Sequence, residues 1–126
     1  MKKTIITFLF LNLCLNASLL KPQNGELLFK THVLFEWEQI QNANSYQIQI
    51  CSDNEFSNCF TETNTTSLIY IEKQNIEWDT SYYWRVRPQF LDLSMGDWID
   101  NFSFQTSIKL GTAYSIEHNN DETQNG

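Results

Sequence analysis

The sequence has few of the residue types on which most catalytic and metal sites depend. Its 126 residues include two histidines, three cysteines and four glycines. No three or four of the histidines and cysteines lie close together, as a tetrahedral zinc site would require. A glycine-rich phosphate loop and the motifs His-Glu-x-x-His and Gly-x-Ser-x-Gly are also absent. We therefore expect a protein that is not an enzyme and has no cofactor and no metal ion.

Positive charge is scarce. Eight lysines and arginines face fifteen aspartates and glutamates, which gives a formal net charge of −7 at pH 7. An acidic surface repels the phosphate backbone, and no run of lysines and arginines is present to overcome that repulsion. We expect no nucleic-acid partner.

The single strongly apolar run, Ile5 to Leu15, follows Lys2 and Lys3 at the N-terminus. It is too short to cross a bilayer as a helix, and a basic start with a short apolar core is typical of a secretory signal. We predict a signal peptide over residues 1–18 and no membrane insertion after cleavage. Its removal would lower the net charge to −9, because both lysines are lost.

Two other interpretations of the N-terminus remain open. A retained membrane anchor is one of them. The other is a lipoprotein signal that ends at Cys14, although Leu13 stands where the signal peptidase prefers a small residue.

The predicted mature chain keeps two cysteines, Cys51 and Cys59, with seven residues between them. In an oxidising compartment such an isolated pair predicts a disulfide, and two free thiols are the alternative. We expect the protein to be secreted or at the cell surface, with the periplasm as a further possibility.

Bulky apolar residues alternate with polar ones in several short segments, among them Ser45–Ile50, Ser81–Pro88 and Phe102–Thr106. This period of two predicts strands with one buried face, and turn residues separate six or seven of them. No segment shows a helical period. The pattern predicts an all-β sandwich with these core residues: Val33, Phe35, Trp37, Tyr46, Ile48, Ile50, Tyr82, Trp84, Val86, Phe102 and Phe104.

The alternation extends over residues 19–106, which we take as one domain. From Ser107 onward apolar residues thin out, so residues 107–126 are predicted to be a polar acidic tail or linker. A chain that is the N-terminal piece of a longer product is an alternative.

Several short motifs together resemble the fibronectin type III-like domains of bacterial secreted and cell-surface proteins. They are Pro22–Gly25, Trp37, Ser45–Ile50, Asp53–Phe56, Thr80–Arg87, Gly96–Trp98 and Phe104–Thr106. The resemblance implies an immunoglobulin-like antiparallel β-sandwich of about seven strands, a surface location and no catalysis. It also implies a tyrosine corner, in which the Tyr82 hydroxyl bonds the backbone near Ile76 to Trp78.

The alternation places Tyr83, Arg85 and Arg87 on the outer face of one sheet, with Trp98 in the following loop. A face of this kind can bind the carboxylates of a partner protein or of an anionic glycan. The alternative is a solvated face on which the arginine stems lie over Tyr83 and Trp98.

We interpret the protein as an extracellular interaction or spacer module that binds a protein or a glycan. One alternative is an N-terminal accessory domain of a larger secreted enzyme, for example one that acts on polysaccharides. Another is a stand-alone carbohydrate-binding module that uses Trp98, Arg85 and Arg87.

Overall fold

Two β-sheets make up residues 17–110, the part of the chain that the computed structural model describes. These residues form no helix. The eight strands are β1 (Leu19–Lys21), β2 (Glu26–Leu28), β3 (Val33–Trp37), β4 (Ser45–Cys51), β5 (Cys59–Thr65), β6 (Ile69–Glu72), β7 (Ser81–Gln89) and β8 (Asn101–Thr106).

The strands are arranged as a sandwich of three on five. One sheet has the order β1-β3-β6 and the other the order β2-β8-β7-β4-β5. Neighbouring strands are antiparallel, except that β2 runs parallel to β8. The predicted all-β, immunoglobulin-like sandwich is confirmed.

The strand count is eight rather than about seven because the first segment divides between the two sheets. β1 pairs with β3, whereas β2 pairs with β8 of the opposite sheet. Pro22 has no N–H to give to a ladder, and Gly25 has φ +79°, which the turn requires. The turn between them carries the chain from one sheet to the other.

The predicted alternation matches the core. Phe35 of the three-stranded sheet is fully buried, and its ring centroid lies 5.1 Å from that of Trp84 and 5.7 Å from that of Phe104 on the five-stranded sheet. Both contacts are edge-to-face, the geometry that aromatic quadrupoles favour. Phe102, predicted to be buried, is only partly so and packs beside Trp84 at the margin of the core.

The tyrosine corner forms as predicted. The Tyr82 hydroxyl accepts a 2.8 Å hydrogen bond from the backbone N–H of Glu77. Ile76, just before it, is buried in the core. The corner fixes the segment that crosses from β6 of one sheet to β7 of the other.

The sequence pattern did not indicate which face of β6 is buried, and the structure shows it. Tyr70 and Glu72 face inward, whereas Ile69 and Ile71 are 44% and 46% exposed. Glu72 is 3% exposed, and its carboxylate accepts a hydrogen bond from the Thr61 hydroxyl of β5. Hydrogen bonds offset the cost of burying a carboxylate. The bond between Thr61 and Glu72 also joins the two sheets.

The predicted signal peptide (residues 1–18), Cys14 and the predicted tail (residues 107–126) lie wholly or mostly outside the described residues. The division of the chain into these segments stays a prediction. Within residues 17–110, no helix has the length and apolar character needed to cross a membrane.

Candidate functional site

The outer face of the five-stranded sheet carries three of the four predicted binding residues. Tyr83, Arg85 and Arg87 alternate along β7 with the core residues, so their side chains leave the opposite face of the strand. All three are half-buried. The aromatic rings that cover the two arginines come from two neighbouring loops.

Both arginines lie over aromatic rings. The Arg85 Cζ atom is 4.1 Å from the ring centroid of Phe56 and 4.0 Å from that of Trp98. The Arg87 Cζ atom is 4.4 Å from the Trp98 centroid. We call these four residues, Phe56, Arg85, Arg87 and Trp98, the Arg–Trp stack. Each such cation–π contact stabilises an exposed site by about 0.5–1 kcal/mol.

A layer of hydrogen bonds holds the guanidinium groups in place. Arg85 Nε donates to Gln49 Oε1 at 2.8 Å, and Arg87 Nε donates to Gln47 Oε1 at 2.7 Å. The two glutamine amides donate in turn to Glu62 Oε1, at 2.9 and 3.3 Å. Each arginine is the direct cross-strand partner of its glutamine on β4, so the sheet register sets these bonds.

Some neighbours of Arg85 disfavour its positive charge and one favours it. Burial is the largest effect and lowers the pKa of Arg85. The positive charge of Arg87 lowers this pKa further, and the negative charge of Glu62 raises it. Arginine stays protonated in proteins at neutral pH. In the described part of the chain, Arg85 and Arg87 each donate hydrogen bonds through Nε alone. Their Nη groups make no hydrogen bond within residues 17–110.

Trp98 reaches the stack because the loop after β7 folds back along that strand. The Gly96 N–H donates to the Pro88 carbonyl at 2.8 Å, and the Ile99 N–H donates to the Val86 carbonyl at 2.8 Å. A Cβ atom at position 96 would lie 2.6 Å from Pro88 Cγ. Only glycine allows so close an approach, so the motif Gly96–Trp98 has a steric basis.

Phe56 reaches the stack from the loop between β4 and β5. The predicted disulfide between Cys51 and Cys59 is confirmed, and it closes this loop at the ends of both strands. Inside the loop, the Asp53 carboxylate accepts hydrogen bonds from the hydroxyl and the backbone N–H of Ser57. The side-chain hydrogen bond from Ser57 is the largest cause that lowers the pKa of Asp53.

A cavity of about 310 Å³ lies beside the stack, over β7 and β8. Tyr83 lines this cavity and is not part of the stack. The full lining comprises Asn24, Asn54, Phe56, Tyr83, Asn101, Phe102 and Ser103. Five of these seven side chains carry an amide or a hydroxyl, and none is charged.

The structure thus brings Arg85, Arg87 and Trp98 into direct contact and places Tyr83 next to them. Sequence reasoning did not identify Phe56 as a member of this surface. The residue belongs to the motif Asp53–Phe56, which indicated only the fold. Its position over Arg85 depends on how a disulfide-closed loop folds, and no periodicity reports that.

Residues 17–110 contain no group of three or more histidine, cysteine, aspartate or glutamate side chains placed to hold a metal ion.

No protein-family model matches the sequence. No curated protein matches it at a significant level.

Solved structures share the fold. FN3tt is 21% identical, with 65% of this chain and 85% of that chain covered and a TM-score of 0.52. A Fn3-like protein from Clostridium thermocellum is 17% identical, with coverage of 66% and 86% and a TM-score of 0.54. This chain has a fibronectin type III-like fold, as the sequence motifs predicted.

The same fold lies inside a larger enzyme. The Streptomyces avermitilis α-L-rhamnosidase, solved in complex with L-rhamnose, is 15% identical with a TM-score of 0.58. The match covers 75% of this chain and 10% of the rhamnosidase chain.

Proposed function

We propose that this protein is a non-catalytic extracellular interaction module that binds a carboxylate-bearing protein or glycan through the Arg–Trp stack. The fibronectin type III-like fold supports the general role, because such domains serve mainly as binding or spacing units. The disulfide between Cys51 and Cys59 supports an oxidising, extracytoplasmic location. The predicted signal peptide agrees with that location.

The observation that carries the proposal is the pair of guanidinium groups held in one fixed arrangement. Arg85 and Arg87 are the chain's two arginines, in a protein with a net charge of −7. Both lie over Trp98, and each donates through Nε to a glutamine. Side chains that are already ordered lose little entropy on binding, and guanidinium groups pair well with carboxylates.

A binding assay with acidic polymers tests the proposal. The probes are poly-L-glutamate and three uronic-acid polymers, namely polygalacturonate, alginate and hyaluronan. Binding to the full chain is measured by calorimetry. The double variant Arg85→Gln, Arg87→Gln should lower the affinity for any bound polymer by about tenfold or more, a change of about 1.4 kcal/mol or more.

The matched control removes two positive charges elsewhere. Lys30→Gln, Lys73→Gln changes two exposed residues outside the stack and should leave the affinity within about twofold. If the unchanged protein binds none of the polymers, or the control loses as much affinity as the arginine variant, the proposal is wrong.

A second candidate function is an accessory domain of a larger secreted enzyme, for example a polysaccharide-active one. The similarity to part of an α-L-rhamnosidase favours it, because there the same fold occurs within a much longer chain. An antibody against the sandwich distinguishes the two candidates in culture supernatant and membrane fractions. A native product near the mass of residues 18–126 favours a stand-alone module, and a much larger one favours the accessory domain.

A further inference from the structure

We infer that the cavity beside the Arg–Trp stack is a saccharide subsite that holds one pyranose ring of a uronic-acid glycan. The inference rests on the proposed function, since it assigns the ligand class of the same surface. It favours a glycan over a protein as the partner.

The lining of the cavity suits a sugar ring. Asn24, Asn54, Asn101 and Ser103 supply amide and hydroxyl groups, which both donate and accept hydrogen bonds as sugar hydroxyls do. Tyr83 adds an aromatic ring, on which the apolar face of a pyranose can pack. Polar groups that match sugar hydroxyls therefore lie beside an aromatic surface on which the ring can pack.

One wall of the cavity is fixed before a ligand arrives. The Ser103 backbone N–H donates to Asn24 Oδ1 at 2.9 Å, and the Gly25 N–H donates to the Ser103 carbonyl at 2.7 Å. The first bond occupies the carbonyl oxygen of the Asn24 amide. Its NH₂ group is therefore oriented and remains able to donate.

The opposite wall belongs to the loop that the disulfide closes. Asn54 and Phe56 project from this loop into the cavity lining. Cys51 and Cys59 join the two ends of the loop, and inside it the Asp53 carboxylate accepts hydrogen bonds from the backbone N–H groups of Ser57 and Asn58, so the loop is ordered without a ligand. A cavity with both walls fixed costs little to order when a ligand binds.

The cavity and the stack are continuous. Phe56 belongs to both, and Asn101 of β8 is the direct cross-strand partner of Arg85. A ring in the cavity therefore brings the carboxylate of an adjoining uronic acid near the Arg85 guanidinium. A volume of about 310 Å³ is at the small end for ligand sites and suits a sugar unit better than a peptide segment.

The experiment compares glycan and peptide polyanions on cavity variants of the full chain. Asn101→Ala and Tyr83→Ala remove an amide and an aromatic ring from the lining. Each should lower the affinity for oligosaccharides of polygalacturonate, alginate or hyaluronan by about tenfold, and should leave the poly-L-glutamate affinity within about twofold. Gln105→Ala, on the same face of β8 but outside the cavity, should change neither affinity.

The outcomes separate the two proposals. If the cavity variants keep their glycan affinity while Arg85→Gln, Arg87→Gln loses it, the arginine surface stands and the subsite is overturned. Binding of poly-L-glutamate without any of the three glycans also overturns the subsite. If the unchanged protein binds no polymer, both proposals fail. An unchanged melting temperature for Asn101→Ala, whose side chain is exposed, shows that a lost affinity is not lost folding.

Discussion

At the scale of single residues, the Tyr82 hydroxyl accepts a hydrogen bond from the backbone N–H of Glu77. Tyr82→Phe removes the acceptor and leaves that N–H unpaired beside the core. We expect a loss of about 1–2 kcal/mol in the free energy of unfolding, measured by urea denaturation. Tyr83→Phe, a change on the outer face, should cost less than about 0.5 kcal/mol. Equal losses for the two variants would contradict the assignment of the tyrosine corner.

Glu72 is a second residue whose effect can be isolated. Its burial by itself would raise the pKa of the carboxyl group. Hydrogen bonds from the Thr61 hydroxyl and from the backbone N–H groups of Gln74 and Asn75 outweigh burial, so the pKa lies below its ordinary value of 4.5. The ionised carboxylate is therefore the form that the fold prefers.

The lowered pKa predicts a pH dependence of stability. A carboxylate with a lower pKa in the folded state stabilises the fold above its unfolded pKa, and this contribution is lost as the pH falls through the folded pKa. Stability should therefore decrease below about pH 4.5. Glu72→Gln should lower the urea midpoint at neutral pH and lose less stability than the unchanged protein between neutral and acidic pH.

Two other carboxylates leave a residual dependence in that variant. Hydrogen bonds from serines lower the pKa of Asp53 and of Asp92, which acts in the same direction. The comparison of the two pH profiles therefore isolates Glu72. Parallel profiles for the variant and the unchanged protein would show that the carboxylate carries no net linkage.

At the scale of elements, the disulfide holds the β4–β5 hairpin and the loop that supplies Phe56 to the stack. Replacing both Cys51 and Cys59 by alanine should reduce the free energy of unfolding by about 2–3 kcal/mol, since the open loop gains entropy in the unfolded chain. Denaturation of the unchanged protein with and without a reducing agent is the matching control. A double variant as stable as the oxidised protein would mean that the hairpin does not need the bond.

At the scale of the whole molecule, two opposing electrostatic effects govern binding to a polyanion. The net charge of −7 repels it, and the two guanidinium groups attract it at short range. If local attraction dominates, affinity for the bound uronic-acid polymer should fall as salt shortens the Debye length from about 10 Å at 0.1 M. Calorimetry across a salt series checks this, and the arginine double variant should show a weaker dependence. An affinity that rises with salt would mean that the net charge dominates.

Much of the fold could be predicted because the sequence within a strand indicates which of its faces is buried. Alternation of apolar and polar residues reports which side of a strand meets the core, so β3, β4 and β7 were oriented correctly. The pattern left the buried face of β6 open, and the structure shows that this strand buries Glu72 and exposes Ile69 and Ile71. Glu72 is buried because Thr61 of β5 and the turn after β6 donate hydrogen bonds to its carboxylate. A hydropathy pattern contains no information about such bonds.

The candidate site divides in the same way. The sequence by itself determined that Tyr83, Arg85 and Arg87 share one outer face, because the period of a strand requires it. Only the tertiary structure decided that two loops meet over them, bringing Phe56 from one side and Trp98 from the other. Loop closure depends on contacts between distant segments, the disulfide and the close approach at Gly96 among them. The contact of the arginines with Trp98 was one of two alternatives that the sequence left open, whereas neither the place of Phe56 in the stack nor the cavity beside it has a signature along the chain.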